Sequence, residues 1–375
     1  MKYCVLCVQP DTRPNLVLDD KGVCPACNYH ESLKNVDWLS RREILSEIIE
    51  RYRGTGDGFH DCLMGVSGGK DSTRQAIFLR EQLGLNPLLV CLSYPPDQVS
   101  SLGAENLSNL IELGFDVLVS APAPGVWREL KRLGFEKFTN SFRSTEMALF
   151  ASVPQMAISH GIELIFWGEN PALQLGELAT MGRNEYDGNN SREGNTLASG
   201  FDWMLESGLD QRRLIPYQYP SKESFNSANI QIIYLGWFLG DWSLRNNGMY
   251  AVSEGFKPRS DIGLNTGDPT GVSAIDENHT PVNQLIKYYK FGFGKATEYA
   301  SEEIRLGRMS RDQAIALVEK YDGALSEKYV EEYCEYLEIT QETFWGQVKG
   351  SLNKELFYVD SNGEIRRKFK IGEGT

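Results

Sequence analysis

The sequence predicts an α/β protein: a doubly wound parallel sheet with a small N-terminal zinc knuckle and a mainly helical C-terminal region. Three observations lead there. Short apolar runs alternate with helix-length amphipathic segments between Cys62 and Trp167, the pattern of βαβ units. The stretch Gly65-Val66-Ser67-Gly68-Gly69-Lys70-Asp71-Ser72 joins one such run to one such helix. Two cysteine pairs stand near the N-terminus. Composition divides the chain into a knuckle over 1–34, a linker helix and glycine-rich loop over 35–58, the α/β domain over 59–255, and helices over 256–375.

In the knuckle, Cys4-x-x-Cys7 and Cys24-x-x-Cys27 are separated by sixteen residues. Each pair offers two thiolates from a tight turn to one tetrahedral ion, and structural Zn2+ is the default occupant in a reducing compartment. Two disulfides or a rubredoxin-like iron are the alternatives. A segment this small needs the metal in place of a core. With all four positions filled by protein, none remains for catalysis.

Ile44, Leu45, Ile48, Ile49 and Tyr52 form a helical stripe over 40–53, and the glycines of 54–58 read as a loop. The alternation then runs strand 62–66, helix 72–83, strand 87–93, helix 104–113 and strand 116–120. Helices around 126–133 and 145–160 precede a strand over 163–167. A strand that ends in two glycines and opens a helix gathers several N–H groups in one concave turn, a site for phosphate oxygens. A Walker A loop does not fit, because only three residues separate Gly65 from Gly69 and Asp71 follows the lysine.

Ligands of such sheets bind beyond the carboxyl ends of strands. That rule also selects Ser93-Tyr94-Pro95-Pro96 and Gly168-Glu169-Asn170-Pro171. Glu169 reads either as a residue that meets the nucleotide or as a solvated loop carboxylate. Residues 182–200, rich in Gly, Asn, Ser and Arg, read as a mobile lid or a disordered insert, and 232–242 as aromatic and buried. Between Lys287 and Lys295, two glycines stand among aromatics and lysines. Either Lys290 and Lys295 hold a phosphorylated or sugar ligand there, or the patch is aromatic core with two solvated lysines. Ser310-x-x-Gln313 is a capping box, and Cys334 shares one helical face with Val330, Tyr333 and Leu337, a core position.

A formal charge of −13 and a pI of about 5.0 argue against a nucleic-acid surface. The longest apolar run, 232–240, is too short to span a bilayer, and the N-terminal apolar stretch is too short for a signal peptide. A cytoplasmic protein without a membrane span is expected. The four histidines show no metal-ligand spacing, and no Gly-x-Ser-x-Gly elbow occurs. No glutaminase nucleophile is evident, so any ammonia must come from another protein.

Ser67-Gly68-Gly69-Lys70-Asp71-Ser72 resembles the pyrophosphate loop (PP-loop) of the ATP-pyrophosphatases, whose fold is adenine-nucleotide alpha-hydrolase-like. These enzymes cleave ATP to AMP and pyrophosphate while adenylating an oxygen. Further motifs are Tyr3-Cys4-x-x-Cys7 with Pro10-Asp11-Thr12-Arg13-Pro14, Gly22-Val23-Cys24-x-x-Cys27 and Trp167-Gly168-Glu169-Asn170-Pro171. Lys290-Phe291-Gly292-Phe293-Gly294-Lys295-Ala296-Thr297, Arg308-Met309-Ser310-Arg311 and Lys320-Tyr321-Asp322-Gly323 complete the set. Together they are similar to the N-acetyl sugar amidotransferases of bacterial surface-polysaccharide and flagellin-glycan pathways.

That resemblance implies a carbon–nitrogen ligase that uses ATP and Mg2+ to turn an acetamido group of a nucleotide-linked sugar into an acetamidino group. It also implies partners: a glutaminase and a barrel subunit that supply ammonia. Ser67, Gly68, Gly69 and Ser72 would bind phosphates, Lys70 would neutralise pyrophosphate, and Asp71 would hold Mg2+, cap the helix, or both. Ser93, Gly168, Glu169 and Asn170 would complete the nucleotide site, with Glu169 or Asn170 orienting AMP or the reacting amide. Two rivals stand beside this reading. The tRNA sulfur transferases and lysidine synthases share the loop, but the acidic charge and the lack of pairing among Cys62, Cys91 and Cys334 count against them. The other rival is a non-catalytic nucleotide-binding scaffold.

Overall fold

The computed structural model describes residues 1–375 apart from 56, 169–170, 172–184, 195 and 375. Five strands, β1 (Cys62–Val66), β2 (Pro87–Leu92), β3 (Val117–Ser120), β4 (Leu164–Trp167) and β5 (Gln231–Tyr234), form one parallel sheet. Their order is β3-β2-β1-β4-β5. The described helices of eight or more residues are numbered in chain order. Before the last two strands come α1 (Pro25–Ser32), α2 (Trp38–Tyr52), α3 (Lys70–Glu81), α4 (Ser101–Glu112), α5 (Pro124–Phe138) and α6 (Phe142–His160). After them come α7 (Leu244–Ser253), α8 (Thr280–Phe291), α9 (Lys295–Arg305), α10 (Arg311–Tyr321), α11 (Glu327–Leu337) and α12 (Gln341–Gly350).

Both faces of the sheet are buried. Met64, Leu89 and Phe166 point to one face, against Leu45 and Ile49 of α2 and Ala76 and Leu79 of α3. Leu63, Val90 and Ile165 point to the other, against Val153 and Ala157 of α6. The period-two alternation of strand side chains thus meets apolar partners on either side, which is why the strands read as unbroken apolar runs. Each fully buried large side chain of this kind contributes about 1.5–3 kcal/mol. Among the described residues no helix is long and apolar enough to cross a membrane.

β1 is the hinge of the topology. The chain steps outward through β2 and β3, then returns to place β4 on the opposite side of β1. The crevice at the carboxyl ends of β1 and β4 is therefore the switch point where open α/β sheets bind ligands. The loop after β1 opens into it, and α3 starts at Lys70, two residues earlier than its apolar periodicity predicts. Lys70 and Asp71 consequently belong to the first helical turn.

Gly68 makes this loop possible. Its φ is +78°, and a Cβ there would lie 2.6 Å from the Leu107 backbone nitrogen in α4. α4 also holds the chain that follows α7: Asn106 Nδ2 donates to the Lys257 carbonyl at 2.9 Å, and Lys257 N–H returns a bond to Asn106 Oδ1 at 2.7 Å.

The knuckle docks on the C-terminal helices. Tyr3 and Val8 pack with Ala300 of α9, Ala314 and Val318 of α10, and Ile371. Arg311 Nε donates to the Cys7 carbonyl at 3.3 Å and its Nη2 to the Gly372 carbonyl at 3.0 Å. The capping box at Ser310 is present, and Cys334 is buried in the core between α5, α6 and α11.

Two expectations change. The aromatic run after 230 begins with a strand, β5, that its sequence did not single out. The described residues of 182–200 are no free lid: Gly188 N–H donates to the Ile232 carbonyl at 2.9 Å, and Tyr234 N–H to the Tyr186 carbonyl at 2.8 Å. They run along the β5 edge, with Asn189 Nδ2 bonded to the Ile230 carbonyl at 2.8 Å. The remainder of that stretch lies outside the described residues.

Gly68→Ala should therefore force the loop away from α4. Left-handed backbone alone costs a non-glycine residue about 1–2 kcal/mol, and the contact adds to it. A lowered melting temperature is expected; an unchanged one would contradict this reading of the loop.

Candidate active site and metal centre

A cavity of about 290 Å³ lies over the carboxyl ends of β1, β2 and β4. Its floor is Gly65, Ser67, Gly69, Lys70, Asp71 and Ser72; Tyr94 follows β2 and Gly168 follows β4; its roof is 272–276 with Lys295. Gly69 is the N-cap of α3 and no side chain caps the helix, so the first-turn amides keep their capacity for an anion. Ser72 Oγ donates to the Gly69 carbonyl at 3.0 Å, which ties the turn together.

Asp71 is held from two sides. Its Oδ2 accepts from Lys70 Nζ at 2.6 Å and its Oδ1 from Asn247 Nδ2 at 2.6 Å. Asn247, fully buried in α7, is itself oriented by Arg74 Nη1, which donates to its Oδ1 at 2.6 Å. Arg74 Nη2 in turn meets Asp241 Oδ1 at 2.7 Å. Asp71 thus stands inside the first turn rather than capping it, which removes the capping role. Desolvation opposes its ionisation, but Lys70 and the bond from Asn247 hold its carboxyl below the usual carboxylate range. An ionised carboxylate at the cavity wall is the kind of side chain that could hold Mg2+.

The roof carries backbone strain. Ala274 has φ 50°, a left-handed conformation that costs a non-glycine residue of order 1–3 kcal/mol and persists only where neighbours enforce it. α4 enforces it here: Ser100 N–H donates to the Asp276 carbonyl at 2.9 Å and Ser100 Oγ to the Ile275 carbonyl at 2.6 Å. Asp276 lines the cavity; burial, with Glu277 alongside, pushes its carboxyl up to about 6. Behind it, the fully buried Glu277 accepts from Gln98 Nε2 at 2.9 Å and from His279 N–H at 2.8 Å.

The structure gathers Ser67, Gly69, Lys70, Asp71, Ser72, Gly168 and Lys295 at one cavity. Gly68 shapes the bend. Ser93 does not join them: its hydroxyl donates to the Tyr94 carbonyl at 3.0 Å and its N–H extends the β2–β3 ladder to Ser120, so Tyr94 is the residue that faces the cavity. Lys290 is likewise displaced. Its ammonium donates to the carbonyls of Phe138 and Thr139 at the C-terminal end of α5, the position where a cation meets the negative end of a helix. Glu169 and Asn170 lie outside the described residues. Asn247, Ser273 and Asp276 went unnoticed in the sequence, because each reaches the loop through tertiary packing.

In the knuckle the ligand atoms of Cys4, Cys7, Cys24 and Cys27 lie within 4.8 Å of one another, all four buried. Cys4 Sγ is 4.0 Å from Cys27 Sγ, and Cys7 Sγ is 3.8 Å from Cys24 Sγ. These are far beyond a disulfide bond of about 2.05 Å and close to the edge of a tetrahedron with Zn–S of about 2.3 Å. The four thiols are free, so the disulfide alternative falls and the donor set fits zinc. Cys62 and Cys91 belong to the sheet core and Cys334 to a separate one, so these three form no second cluster.

Two outcomes follow from this geometry. Cys24→Ser should abolish zinc binding and leave residues 1–34 open to limited proteolysis; zinc binding with unchanged protection would contradict the site. For Asp276, the folded pKa is raised, so its contribution to stability is complete below pH about 4 and lost as pH rises to about 6. Asp276→Asn should gain on the native chain across that window, by up to about 3 kcal/mol, in denaturant titrations at stepped pH. A constant difference at every pH would contradict the raised carboxyl.

Residues 270–371 match the family model described as LPS biosynthesis protein WbpG-like, C-terminal domain. No curated protein matches the chain. The matched segment holds the cavity roof, Lys295 and helices α8 to α12. Over that segment the chain is similar to WbpG-like proteins of lipopolysaccharide biosynthesis.

Proposed function

We propose that the protein is an ATP-dependent N-acetyl sugar amidotransferase of a surface glycan such as the lipopolysaccharide O-antigen. In this reading the sheet is a doubly wound PP-loop domain, the knuckle holds structural zinc, and the chain works in the cytoplasm. The observation that carries the reading is the Ser67–Ser72 loop, with Lys70 and Asp71 in the first turn of α3, facing a cavity at the switch point. The C-terminal match supports a role in lipopolysaccharide biosynthesis.

An amide carbon is a poor electrophile and oxide is a poor leaving group, so the carbonyl oxygen must first be activated. The amide oxygen attacks the α-phosphorus of ATP, the bond to the bridging oxygen breaks, and pyrophosphate leaves with that electron pair. Ammonia adds to the carbon of the O-adenylated imidate, a proton is lost, and AMP departs to leave an amidine. Lys70 stabilises charge growing on pyrophosphate, and Asp71 holds Mg2+ when the metal is bound. Asp276, with a carboxyl raised to about 6, is suited to take the proton shed as ammonia adds. Ammonia comes from a separate glutaminase with its barrel subunit.

Lys70→Ala and Asp71→Ala should each abolish pyrophosphate release from ATP in the presence of ammonium and a panel of nucleotide-linked diacetamido sugars, with zinc content near native. Asp71→Ala should also lower the melting temperature, because the buried Asn247 amide loses its acceptor. Product lighter by the difference between O and NH is expected from the native chain. Near-normal turnover in either variant would sink the assignment. Release driven by bulk tRNA and by no sugar would favour the tRNA-modifying reading, and ATP binding without turnover the scaffold.

A further inference from the structure

A second cavity, of about 300 Å³, adjoins the first, and Lys70, Asp71, Ser273 and Lys295 line both. Its other walls come from far apart in the chain: Gln9 and Arg13 of the knuckle, Leu244 at the start of α7, and Glu298, Ser301 and Arg305 of α9. The reaction steps proposed above do not use it. Three of its lining residues carry buried polar atoms without a hydrogen-bond partner among the described residues: Gln9 Nε2, Ser273 Oγ and Ser301 Oγ. Their residues are 5%, 8% and 1% exposed. A buried donor left unpaired costs about 1–3 kcal/mol, so this site is built to receive acceptor oxygens.

The charges point the same way. Arg13 Nη2, Lys287 Nζ and Lys295 Nζ converge on one carboxylate, Glu298, at 3.5, 3.0 and 3.4 Å. Against the penalty of burial, these cations hold Glu298 well below the usual carboxylate range, so three positive groups face one negative group. Arg305 lines the same chamber. The facing carboxylate Glu302 is pushed upward by burial, which weakens its opposition to an anion. An oxygen-rich ligand with more than one negative charge satisfies both the donors and the excess charge.

We propose that this chamber receives the pyrophosphate released from ATP, on the far side of Lys70 and Asp71 from the nucleotide. The inference rests on the function proposed above. The cleaved pyrophosphate is the species that can attack the adenylated imidate and regenerate ATP. Passage across the shared wall to Arg13, Ser301 and Gln9 separates it from the α-phosphorus before ammonia arrives. The knuckle thereby contributes Arg13 and Gln9 to the reaction cycle without touching the reacting atoms.

The test titrates inorganic pyrophosphate, at fixed Mg2+, into the zinc-loaded full chain by calorimetry. A parallel titration uses an ATP analogue with a carbon bridge between the α- and β-phosphates. Arg13→Gln removes a charge, and Ser301→Ala removes a hydroxyl without a partner, so the second variant has no folding bond to lose. Pyrophosphate affinity should fall about tenfold in Arg13→Gln, a change of about 1.4 kcal/mol, and measurably in Ser301→Ala, with analogue affinity kept within about twofold. Unchanged pyrophosphate affinity in both variants would overturn the proposal. So would an equal loss for pyrophosphate and analogue, because the variants would then act on the first cavity. If the analogue fails to bind the native chain, the nucleotide reading of the first cavity falls, while the pyrophosphate titration still decides on the second.

Discussion

The clamp on Asp71 is the interaction on which the rest of the site depends. Lys70 is its sequence neighbour, but Asn247 lies 176 positions away and keeps its amide oriented only because Arg74 occupies its oxygen. One carboxylate thus locks α3 to α7 and fixes where the loop after β1 ends. A short, charge-assisted pair of bonds in a partly desolvated place is stronger than the same bonds in water. It also leaves the carboxylate ionised and turned to the cavity, so the same contact serves packing and chemistry.

Two further devices keep this turn in place. α4 lies against the loop at Gly68 and against the roof at Asp276, so floor and cover of the first cavity share one support. The strained Ala274 is a consequence of that double contact. From the other side, the cysteine knuckle rests on α9 and α10 through Tyr3, Val8 and Arg311. The four-cysteine segment at one end of the chain and helices at the other thereby wall the same chamber, with Lys70, Asp71, Ser273 and Lys295 between the two cavities.

What could be read from the sequence was what local physics determines. Strands β1 to β4 alternate faces over a few residues and stand close to their expected bounds. The loop announced itself through glycines that Cβ sterics require, and the cysteine pairs through ligand spacing. The start of α3 at Lys70 escaped because periodicity marks only the apolar face of a helix, and its first turn here is polar. β5 escaped because four residues, Gln231–Tyr234, followed at once by more aromatics, carry no period. Ser93 and Lys290 were chosen by position and charge. Each is instead bound to a backbone carbonyl, a fate decided by which carbonyls the fold brings near. Asn247, Ser273 and Asp276 have no local signature, because their roles exist only once α4 and α7 are docked.

The most direct test of the central claim follows an oxygen atom. A nucleotide-linked sugar carrying oxygen-18 in its acetamido carbonyl is turned over with ATP and ammonium, and the AMP is analysed by mass spectrometry. If the loop directs the amide oxygen onto the α-phosphorus, the label must appear in the phosphate of AMP, atom for atom with amidine formed. AMP without the label, whether the oxygen stays in the sugar or passes to water, would contradict the account.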